Sequence, residues 1–270
     1  MAISDTQAKM LTGVYSSVRQ MGLLETRSGQ RLFTSLYFLY KKYLEDPFGA
    51  LAKRQPELFR GGHVLDIGAN IGYTASVFAG AIDPEYQVYA FEPEPFNFRL
   101  LERAIAARHL NSCVIPVRSA VGQKDGGIEL WLNDHHHADH RIAVGELNAA
   151  ERDLRTISVP ITSIDTFVQG RGLNGSLAFI KVDVQGYEFP VCLGMNDTLI
   201  ANERAVVALE YMPEALRELG FDGPALLRWF SERDYRVYSL QKNGQLEPGV
   251  SSDLAHHGYT DLLFSRRKLG

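Results

Sequence analysis

After residue 60, the sequence alternates between short apolar runs of strand length and longer segments whose apolar residues recur at helical spacing. Such an alternation of strands with helices is typical of a parallel sheet that is covered by helices on both faces. The predicted core strands are 64–66, 87–91, 113–117, 177–183 and 205–210, the predicted helices are 75–82, 96–109 and 224–232, and the predicted closing strands are 235–240 and 260–265. Two additional β segments, at 127–132 and 157–161, flank a polar loop.

The first 55 residues have the pattern of helices. A first helix is predicted to run through Arg19, and a second is predicted to cover 31–45. The second helix has an aromatic face, which more often packs on a core or on another subunit than it binds a ligand. We therefore expect a helical extension at 1–55, followed by a single domain at 56–270. The extension is also a candidate surface for a homodimer.

A strand, a turn of small residues and a helix follow one another in the stretch His63-Val-Leu-Asp-Ile-Gly-Ala-Asn-Ile-Gly-Tyr-Thr74. Gly68, Asn70 and Gly72 permit a tight turn and a close approach of the backbone to a ligand. A turn of this kind presents backbone N–H groups to a bound cofactor. Because any α/β protein can carry a glycine turn after a strand, the motif by itself is only a hypothesis.

The spacing of this motif, Asp-x-Gly-x-x-x-Gly from Asp66 to Gly72, differs from the dinucleotide pattern Gly-x-Gly-x-x-Gly. It also lacks the Gly-Lys-Ser/Thr of a phosphate-binding loop. A carboxylate at the end of the strand is a poor neighbour for a pyrophosphate group. It suits a ligand with an ammonium and a sulfonium group, which is S-adenosylmethionine. The stretch resembles the first signature of the class I methyltransferases.

A second carboxylate, Glu92, ends the strand 87–91 and lies about twenty residues after the glycine turn. A carboxylate at this place can accept hydrogen bonds from both hydroxyls of a ribose. The alternative is a helix N-cap region, because Glu94 and Asn97 also favour the start of a helix. The preceding Asp-x-Gly-x-x-x-Gly motif favours the ribose role.

The segment Phe179-Ile-Lys-Val-Asp-Val-Gln-Gly-Tyr-Glu188 is the most specific signal in the chain. Asp183 ends an apolar strand at the edge where open α/β sheets bind ligands. Lys181 is unusual inside such a strand and is expected to pair with a carboxylate. Gly186 permits a tight turn, and Glu188 is expected to begin the next helix. Alternatively, Asp183 and Glu188 are turn and cap residues, although carboxylates at strand ends cluster at functional sites.

The polar loop contains Asn-Asp-His-His-His-Ala-Asp-His-Arg at 133–141. A solvated loop, a catalytic or substrate-binding loop and a metal site are all compatible with this composition. Metal ligation usually needs fixed spacing on defined elements, so we assign no metal. A hydroxyl that accepts a methyl group must lose its proton, and imidazole suits this near neutral pH. His140, between Asp139 and Arg141, is the first candidate base, and His136 is the second.

The composition is that of a soluble globular protein, with 45% hydrophobic and 22% charged residues among 270. A net charge of −4 without a basic block argues against nucleic acid as a partner. Cys113 and Cys192 lie in apolar surroundings and are expected to be buried free thiols, which fits a reducing compartment. The N-terminal residues lack the pattern of a secretory signal, and no apolar run is long enough to cross a bilayer. We therefore expect a cytoplasmic protein.

Four motifs together resemble the FkbM family of S-adenosylmethionine-dependent methyltransferases. They are Val-Leu-Asp-Ile-Gly-Ala-Asn-Ile-Gly at 64–72, Phe-Glu-Pro at 91–93, Ser-Ala-Val-Gly at 119–122 and Ile-Lys-Val-Asp-Val-Gln-Gly-Tyr-Glu at 180–188. The resemblance covers about residues 62 to 265, and residues 1–55 lie outside it. Two positions depart from the family pattern. Gln185 stands where the family usually has glutamate, which removes a charge near the site, and Asp261 stands where asparagine is common.

The resemblance implies a Rossmann-like α/β sheet of the class I methyltransferases, mostly parallel with an antiparallel last strand. It implies methylation of a hydroxyl on a sugar, glycoconjugate or polyketide-like secondary metabolite, with S-adenosylmethionine as the donor and S-adenosylhomocysteine as the product. Carried over by position, the cofactor-binding residues are Asp66, Gly68, Ala69, Asn70, Gly72 and Thr74 for the methionine part, Glu92 and Pro93 for the ribose, Ser119 and Ala120 for the adenine, and Asp183 for the amino group. Asp183 would also lie near the acceptor, as an alternative base to His140 and His136.

Two other classes of function stay open. A nicotinamide-dependent oxidoreductase is one, because Glu92 can hold either ribose, although the missing Gly-x-Gly-x-x-Gly counts against it. A cofactor-binding module without turnover is the other, and Gln185 is the feature that favours it.

Overall fold

A computed structural model describes residues 26–42, 46–132, 141–142, 155–251 and 258–270 of the chain. The strands within these ranges are β1 His63–Ile67, β2 Val88–Phe91, β3 Val114–Val117, β4 Ala120–Val121, β5 Gly126–Leu132, β6 Arg141–Ile142, β7 Arg155–Thr162, β8 Leu177–Val182, β9 Val206–Tyr211, β10 Arg236–Leu240, β11 Leu246–Pro248 and β12 Thr260–Ser265. In this part of the chain, eight of the strands form a main sheet in the order β11-β10-β12-β9-β8-β1-β2-β3. The other four form a second sheet in the order β4-β7-β5-β6.

The main sheet is mostly parallel, as predicted. Strand β1 pairs in parallel with β2 and β8, and these pair in parallel with β3 and β9 respectively. Strand β12 is antiparallel to both β9 and β10, so it is the antiparallel last strand of the prediction. The edge strand β11, which pairs antiparallel with β10, was not predicted. The two additional β segments are confirmed as β5 and β7, which pair with each other in the second sheet.

The helices cover both faces of the main sheet. They are α1 Arg27–Tyr40, α2 Phe48–Arg54, α3 Tyr73–Ala79, α4 Pro95–Ala107, α5 Ile164–Arg171, α6 Glu188–Leu193, α7 Asn196–Ala201, α8 Pro213–Glu218 and α9 Gly223–Ser231, with a 3-10 turn at Pro56–Leu58. The predicted bounds were wrong by a few residues. Helix α3 begins two residues before the predicted start because the left-handed backbone of Gly72 leads directly into it. Helix α1 begins before the predicted start at residue 31, because the Thr26 hydroxyl caps its N-terminus by accepting from the Gly29 N–H.

The core has two sides, because successive residues of each strand point to opposite faces of the sheet. Leu65 and Ile67 of β1 belong to the apolar cluster on one face, and Val64 belongs to the cluster on the other. Asp66 therefore shares the face of Val64. Helices α2 and α3 pack on this face through Phe48 and Phe78.

The aromatic face of α1 packs on the domain, which is one of the two arrangements expected for it. Phe33, Tyr37 and Phe38 are buried against residues that follow β1 and residues of α4. The rings of Phe38 and Tyr73 meet edge to face with centroids 5.3 Å apart, and the Arg108 guanidinium lies 3.6 Å from the centroid of Phe38. The predicted first helix, which ends near Arg19, lies outside the described residues. The division of the chain after residue 55 stays a prediction.

Two further observations bear on the sequence-based expectations. Cys192 is buried and Cys113 is partly buried, and both thiols are free. None of the helices in the described ranges combines the length and the apolar composition that a bilayer crossing requires.

Candidate functional site

Charged side chains gather at the carboxyl ends of the central strands, on the face of the sheet that carries Asp66. Asp66 pairs with Lys181 in the register of β1 and β8, and Asp183 follows Lys181 by two residues. Glu210, near the end of β9, lies directly opposite Asp261 of β12. Residues two apart on a strand share a face, so these five side chains lie on the same side of the sheet. This edge is where open α/β sheets bind their ligands.

Lys181 is buried and holds two of these carboxylates together. Its Nζ lies 2.9 Å from Oδ2 of Asp183 and 3.5 Å from Oδ1 of Asp66, and it also donates to the carbonyl oxygen of Gly68 at 3.4 Å. Burial opposes the charge on the ammonium group, but Asp183 and Asp66 outweigh burial and raise the pKa of Lys181. The expected pairing of Lys181 with a carboxylate is therefore confirmed.

Asp66 is fully buried, with 0% of its surface exposed, and neither carboxylate oxygen has a hydrogen-bond partner in the structure. Burial raises the pKa of Asp66 to about 6, while Lys181 acts in the opposite direction. A buried carboxylate without hydrogen bonds is costly for a folded protein. The side chain is therefore an acceptor for which the described part of the chain supplies an ion pair but no hydrogen-bond donor.

The turn after β1 is shaped mainly by contacts within the protein. Gly68 has a left-handed φ of 82°, and a Cβ atom there would overlap the carbonyl oxygen of Asp183. The N–H groups of Gly68 and Ala69 both donate to the carbonyl oxygen of Phe91, at 3.1 and 2.8 Å. Close approach of the neighbouring strand ends therefore accounts for glycine at 68, where the sequence suggested close approach of a ligand.

The carboxylate that ends β2, Glu92, is not the cap of the next helix. That role belongs to Glu94, whose side chain accepts from the Asn97 N–H at 2.6 Å at the start of α4. Glu92 is buried, and its Oε1 accepts from the Glu94 N–H at 2.9 Å. Burial raises the pKa of Glu92 to about 8, although backbone hydrogen bonds from Glu94 and Asn70 favour the charged form. Because Glu94 caps the helix, the N-cap alternative does not explain Glu92.

The turn after β8 joins Asp183 to Glu210 through Gln185. The Gln185 Nε2 donates to Oδ1 of Asp183 at 3.1 Å and to Oε2 of Glu210 at 2.8 Å, from a residue with a left-handed φ of 56°. Burial opposes ionisation of Asp183, but Lys181 and a hydrogen bond from Glu210 hold the pKa of Asp183 below its usual range. Burial and the charge of Asp183 raise the pKa of Glu210. Ionisation is therefore more favourable for Asp183 than for Glu210.

Glu188, by contrast, has the structural role that was the alternative at this position. Its Oε1 accepts from the N–H groups of Val184 and Gly186, each at 3.1 Å, and so closes the turn before α6. Burial raises the pKa of Glu188 to about 7, against the effect of these hydrogen bonds. The prediction that Glu188 begins a helix is confirmed.

Asp261 is the acidic residue that the sequence reasoning did not include in the site. Only 8% of its surface is exposed, and no hydrogen bond from the described residues reaches its side chain. Burial and the charge of Asp183 raise the pKa of Asp261 to about 7, while Lys181 and Lys41 act in the opposite direction. Glu210 was missed as well, although a carboxylate that ends an apolar strand was the signal used for Glu92 and Asp183. The proximity of Glu210 to Asp261 depends on antiparallel register, for which the sequence has no marker.

The N-terminal extension reaches this site. The Tyr73 hydroxyl, in the first turn of α3, donates to Oδ2 of Asp46 at 2.9 Å. Asp46 in turn accepts from the N–H groups at the start of α2, including that of Phe48 at 2.8 Å. The charges of Asp46 and Lys41 both affect the pKa of Asp261, so these two residues lie near the acidic side chains.

The remaining predicted site residues are placed as follows. Thr74 lies in the first turn of α3, and Pro93 directly follows Glu92. Ser119 donates its hydroxyl hydrogen toward the carbonyl oxygens of Ala120 and Pro160, at 2.8 and 3.2 Å, and thereby joins the end of β3 to the second sheet.

The candidate bases His136 and His140 lie outside the described residues. Within the ranges that the structure describes, no group of three or more His, Cys, Asp or Glu side chains is arranged to hold a metal ion.

Comparison with known proteins identifies the family. The sequence model of the family described as "Methyltransferase FkbM domain" matches residues 66–237, which is more than half of the chain. No curated protein sequence matches the chain.

Two solved structures can be compared with this chain. An FkbM methyltransferase from Methylobacillus flagellatus is 17% identical with a TM-score of 0.50, and the match covers 92% of this chain and 58% of that one. The chain therefore spans less than two thirds of that protein. An O-methyltransferase from Bacillus cereus in complex with SAH is 11% identical with a TM-score of 0.48, over 97% of this chain and 90% of that one. On the family match, with a Rossmann-like sheet of the class I methyltransferases, the chain belongs to the FkbM methyltransferase family.

Proposed function

We propose that the protein is an S-adenosylmethionine-dependent O-methyltransferase that acts on a hydroxyl of a sugar, a glycoconjugate or a polyketide-like secondary metabolite. The observation that carries this proposal is Asp66. It lies at the carboxyl end of β1, within the family match, and no residue in the described ranges donates a hydrogen bond to its buried carboxylate. A ligand with an ammonium group and a sulfonium group, bound beside these carboxylates, supplies the missing positive charge.

The charge balance of the site supports a cationic ligand. Asp66, Asp183, Glu210 and Asp261 lie on one face at one edge of the sheet, and Lys181 is the cation in direct contact with two of them. The raised pKa of Asp66 reflects a negative charge that its surroundings do not fully compensate. A positive ligand beside these groups favours their ionised forms and is stabilised by them.

We propose for the binding residues the roles that the resemblance to the family implies. Asp66 and the turn from Gly68 to Thr74 would hold the methionine part, and Asp183 would accept from its amino group. Glu92 and Pro93, beyond the end of β2, would hold the ribose, since the cap role there belongs to Glu94. Ser119 and Ala120 would lie beside the adenine. When bound, S-adenosylmethionine supplies a methyl group that is activated by a positively charged sulfur.

A hydroxyl acceptor suits the acceptor side of this site, because carboxylates and the Gln185 amide oxygen accept hydrogen bonds that hydroxyl groups donate. The chain would contribute mainly by holding the acceptor oxygen in line for the transfer. His140, His136 and Asp183 remain candidates for the removal of its proton. A cytoplasmic location and a homodimer formed through the N-terminal helices remain proposals from the sequence.

A calorimetric titration of the full-length chain with S-adenosylhomocysteine and with NAD separates the candidate functions. We expect S-adenosylhomocysteine to bind with a Kd on the order of micromolar or tighter, and NAD not to bind. The change Asp66→Asn should weaken binding of S-adenosylhomocysteine at least about tenfold, because it removes a negative charge beside the methionine part of the ligand, which carries an ammonium group. The exposed change Glu85→Gln is the matched control and should leave the affinity unaltered.

The possible outcomes distinguish three functions. Binding of NAD alone would replace the proposal with the oxidoreductase reading. Binding of S-adenosylhomocysteine without methyl transfer to any member of a panel of sugar and polyketide hydroxyl compounds would favour a binding module. Absence of binding for both ligands would remove the proposal altogether.

A further inference from the structure

We propose that Asp261 is the catalytic base that takes the proton of the acceptor hydroxyl during methyl transfer. This inference rests on the proposed function and adds a residue to the same site. It is carried by the position of Asp261 in β12, its burial and its lack of any hydrogen-bond partner among the described residues.

The position of Asp261 is unfavourable for stability. Its register partner across the β9–β12 pair is Glu210, and side chains directly opposite each other on one face lie with Cβ atoms about 5 Å apart. Two ionised carboxylates at such a pair repel each other, and the charge of Asp261 contributes to the raised pKa of Glu210. Only 8% of the Asp261 surface is exposed, so water compensates the carboxylate only in part. A residue that the fold itself does not favour is a candidate for a functional role.

The neighbouring carboxylates are already engaged. Asp183 accepts from Lys181 through Oδ2 and from Gln185 through Oδ1. Glu210 accepts from Gln185. Asp66 is in contact with Lys181 at the far side of the group, on β1. Asp261 is the carboxylate at this edge that has neither an ion pair nor a hydrogen bond within the described part of the chain.

The groups that face Asp261 adjust its basicity to neutral pH. Lys181 of β8 and Asp183 directly after it act on Asp261, as do Lys41 and Asp46, and Asp261 acts on Glu210 of β9. Tyr259, two residues earlier, is 54% exposed, and partial burial together with the charge of Asp261 raises the pKa of its hydroxyl. Burial raises the pKa of Asp261 to about 7, and a general base is most effective when its pKa lies near the working pH. Asp183 is a weaker base, since its pKa is held below the usual range.

The proposed step balances. The acceptor oxygen forms a bond to the methyl carbon as the bond between that carbon and sulfur breaks, and the electron pair of the broken bond stays on sulfur. The proton of the acceptor hydroxyl moves to the Asp261 carboxylate. The products are a methyl ether, a neutral thioether and protonated Asp261, which then releases its proton to solvent.

The test uses proton release on ligand binding, which needs no acceptor. S-Adenosylmethionine and S-adenosylhomocysteine differ by the methyl group and one positive charge, located where Asp261 must act. Titration calorimetry of the full chain at pH 7 in phosphate and in Tris gives the number of protons released by each ligand. A sulfonium near Asp261 lowers the pKa of its carboxyl, so S-adenosylmethionine should release more protons than S-adenosylhomocysteine. With a pKa of about 7, Asp261 is about half protonated at pH 7, so it contributes at most about half a proton to the difference in proton release between the two ligands.

The variant Asp261→Asn should reduce the difference in the number of protons released by the two ligands, because the contribution of Asp261 is lost. The matched control Asp197→Asn, an exposed residue in the first turn of α7, should preserve the difference. In wild-type protein, the carbon-13 carboxyl signal of Asp261, identified by its absence from the variant, should titrate at least about one pH unit lower with S-adenosylmethionine than with S-adenosylhomocysteine. Asp261→Ser identifies the signal equally well if Asp261→Asn does not fold.

The inference is overturned if the difference in proton release between the two ligands is the same in Asp261→Asn as in wild type. It is also overturned if the Asp261 carboxyl signal has the same pKa with both ligands. In either case both ligands still bind and the proposed function stands. Absence of binding for both ligands is the separate outcome that removes the proposed function and the inference with it.

Discussion

Replacement of Lys181 by methionine tests whether this lysine holds the site together. Methionine has nearly the shape of lysine, so Lys181→Met removes the charge with little loss of packing. In wild type, the ammonium lies 2.9 Å from Asp183 and 3.5 Å from Asp66. The side chain is 4% exposed, so water does not replace it. The variant therefore leaves two carboxylates without their common counter-ion.

The expected loss in the free energy of unfolding is large and depends on pH. Removal of one partner from a buried ion pair typically costs about 3–5 kcal/mol, which is the loss expected at pH 8. The pKa of Asp66 is about 6 even with Lys181 present, and without the lysine it rises further. A carboxyl group whose pKa is higher in the folded than in the unfolded protein lowers the free energy of unfolding as the pH rises from the unfolded pKa to the folded pKa. The difference between variant and wild type should therefore be smaller at pH 5, by at least about 1.4 kcal/mol, because the carboxyl is protonated there.

Urea unfolding at pH 5 and pH 8 measures both quantities, provided that the slope m is unchanged. The exposed variant Lys53→Met is the control and should lose less than about 0.5 kcal/mol. The double variant Lys181→Met with Asp66→Asn should recover part of the loss, because it removes one of the uncompensated charges. A loss below about 1 kcal/mol at pH 8, or an equal loss at both pH values, would refute the reasoning.

Two further predictions concern the turn and the ribose residue. Gly68→Ala and Gly61→Ala both place alanine at a left-handed φ, which costs roughly 1–2 kcal/mol. A Cβ atom at 68 also overlaps the backbone of Asp183, whereas a Cβ atom at 61 meets nothing within 4 Å. Urea unfolding should therefore show that Gly68→Ala lowers the free energy of unfolding by at least about 1 kcal/mol more than Gly61→Ala does. An equal decrease for the two variants would contradict the close approach of the two strand ends. If the ribose hydroxyls need ionised Glu92, whose pKa is about 8, calorimetry should find S-adenosylhomocysteine bound roughly eightfold more weakly at pH 7 than at pH 8.5. Glu92→Gln should abolish most of this pH dependence, and a wild-type affinity that does not change with pH would argue against the ribose role.

Much of the fold follows from local pattern. The apolar runs at β1, β2, β8 and β9 and the periodic segments at α4 and α9 were predicted within a few residues, because burial on a sheet or a helix face selects residue types at a fixed spacing. Element ends were less accurate. Thr26 and Gly72 set the starts of α1 and α3 through a side-chain cap and a left-handed backbone, and neither feature changes the hydrophobic pattern.

The two departures from the family pattern show what a sequence comparison omits. Gln185 and Asp261 lie far apart in sequence, and each was noted as an isolated change. In the structure both adjoin Glu210, one through a hydrogen bond of 2.8 Å and the other as its cross-strand partner. An amide at 185 and an acid at 261 therefore belong to one electrostatic group.

The sequence by itself determined which strands end in a carboxylate and where the glycine turn and the helices follow, because these are properties of consecutive residues. It placed Asp66, Glu92 and Asp183 in the candidate site on that basis. Only the tertiary structure decided which acid caps a helix, which carboxylate Lys181 holds and which acid faces Glu210. These outcomes depend on strand order, register and burial, which bring together residues from distant parts of the chain and set the cost of their charges.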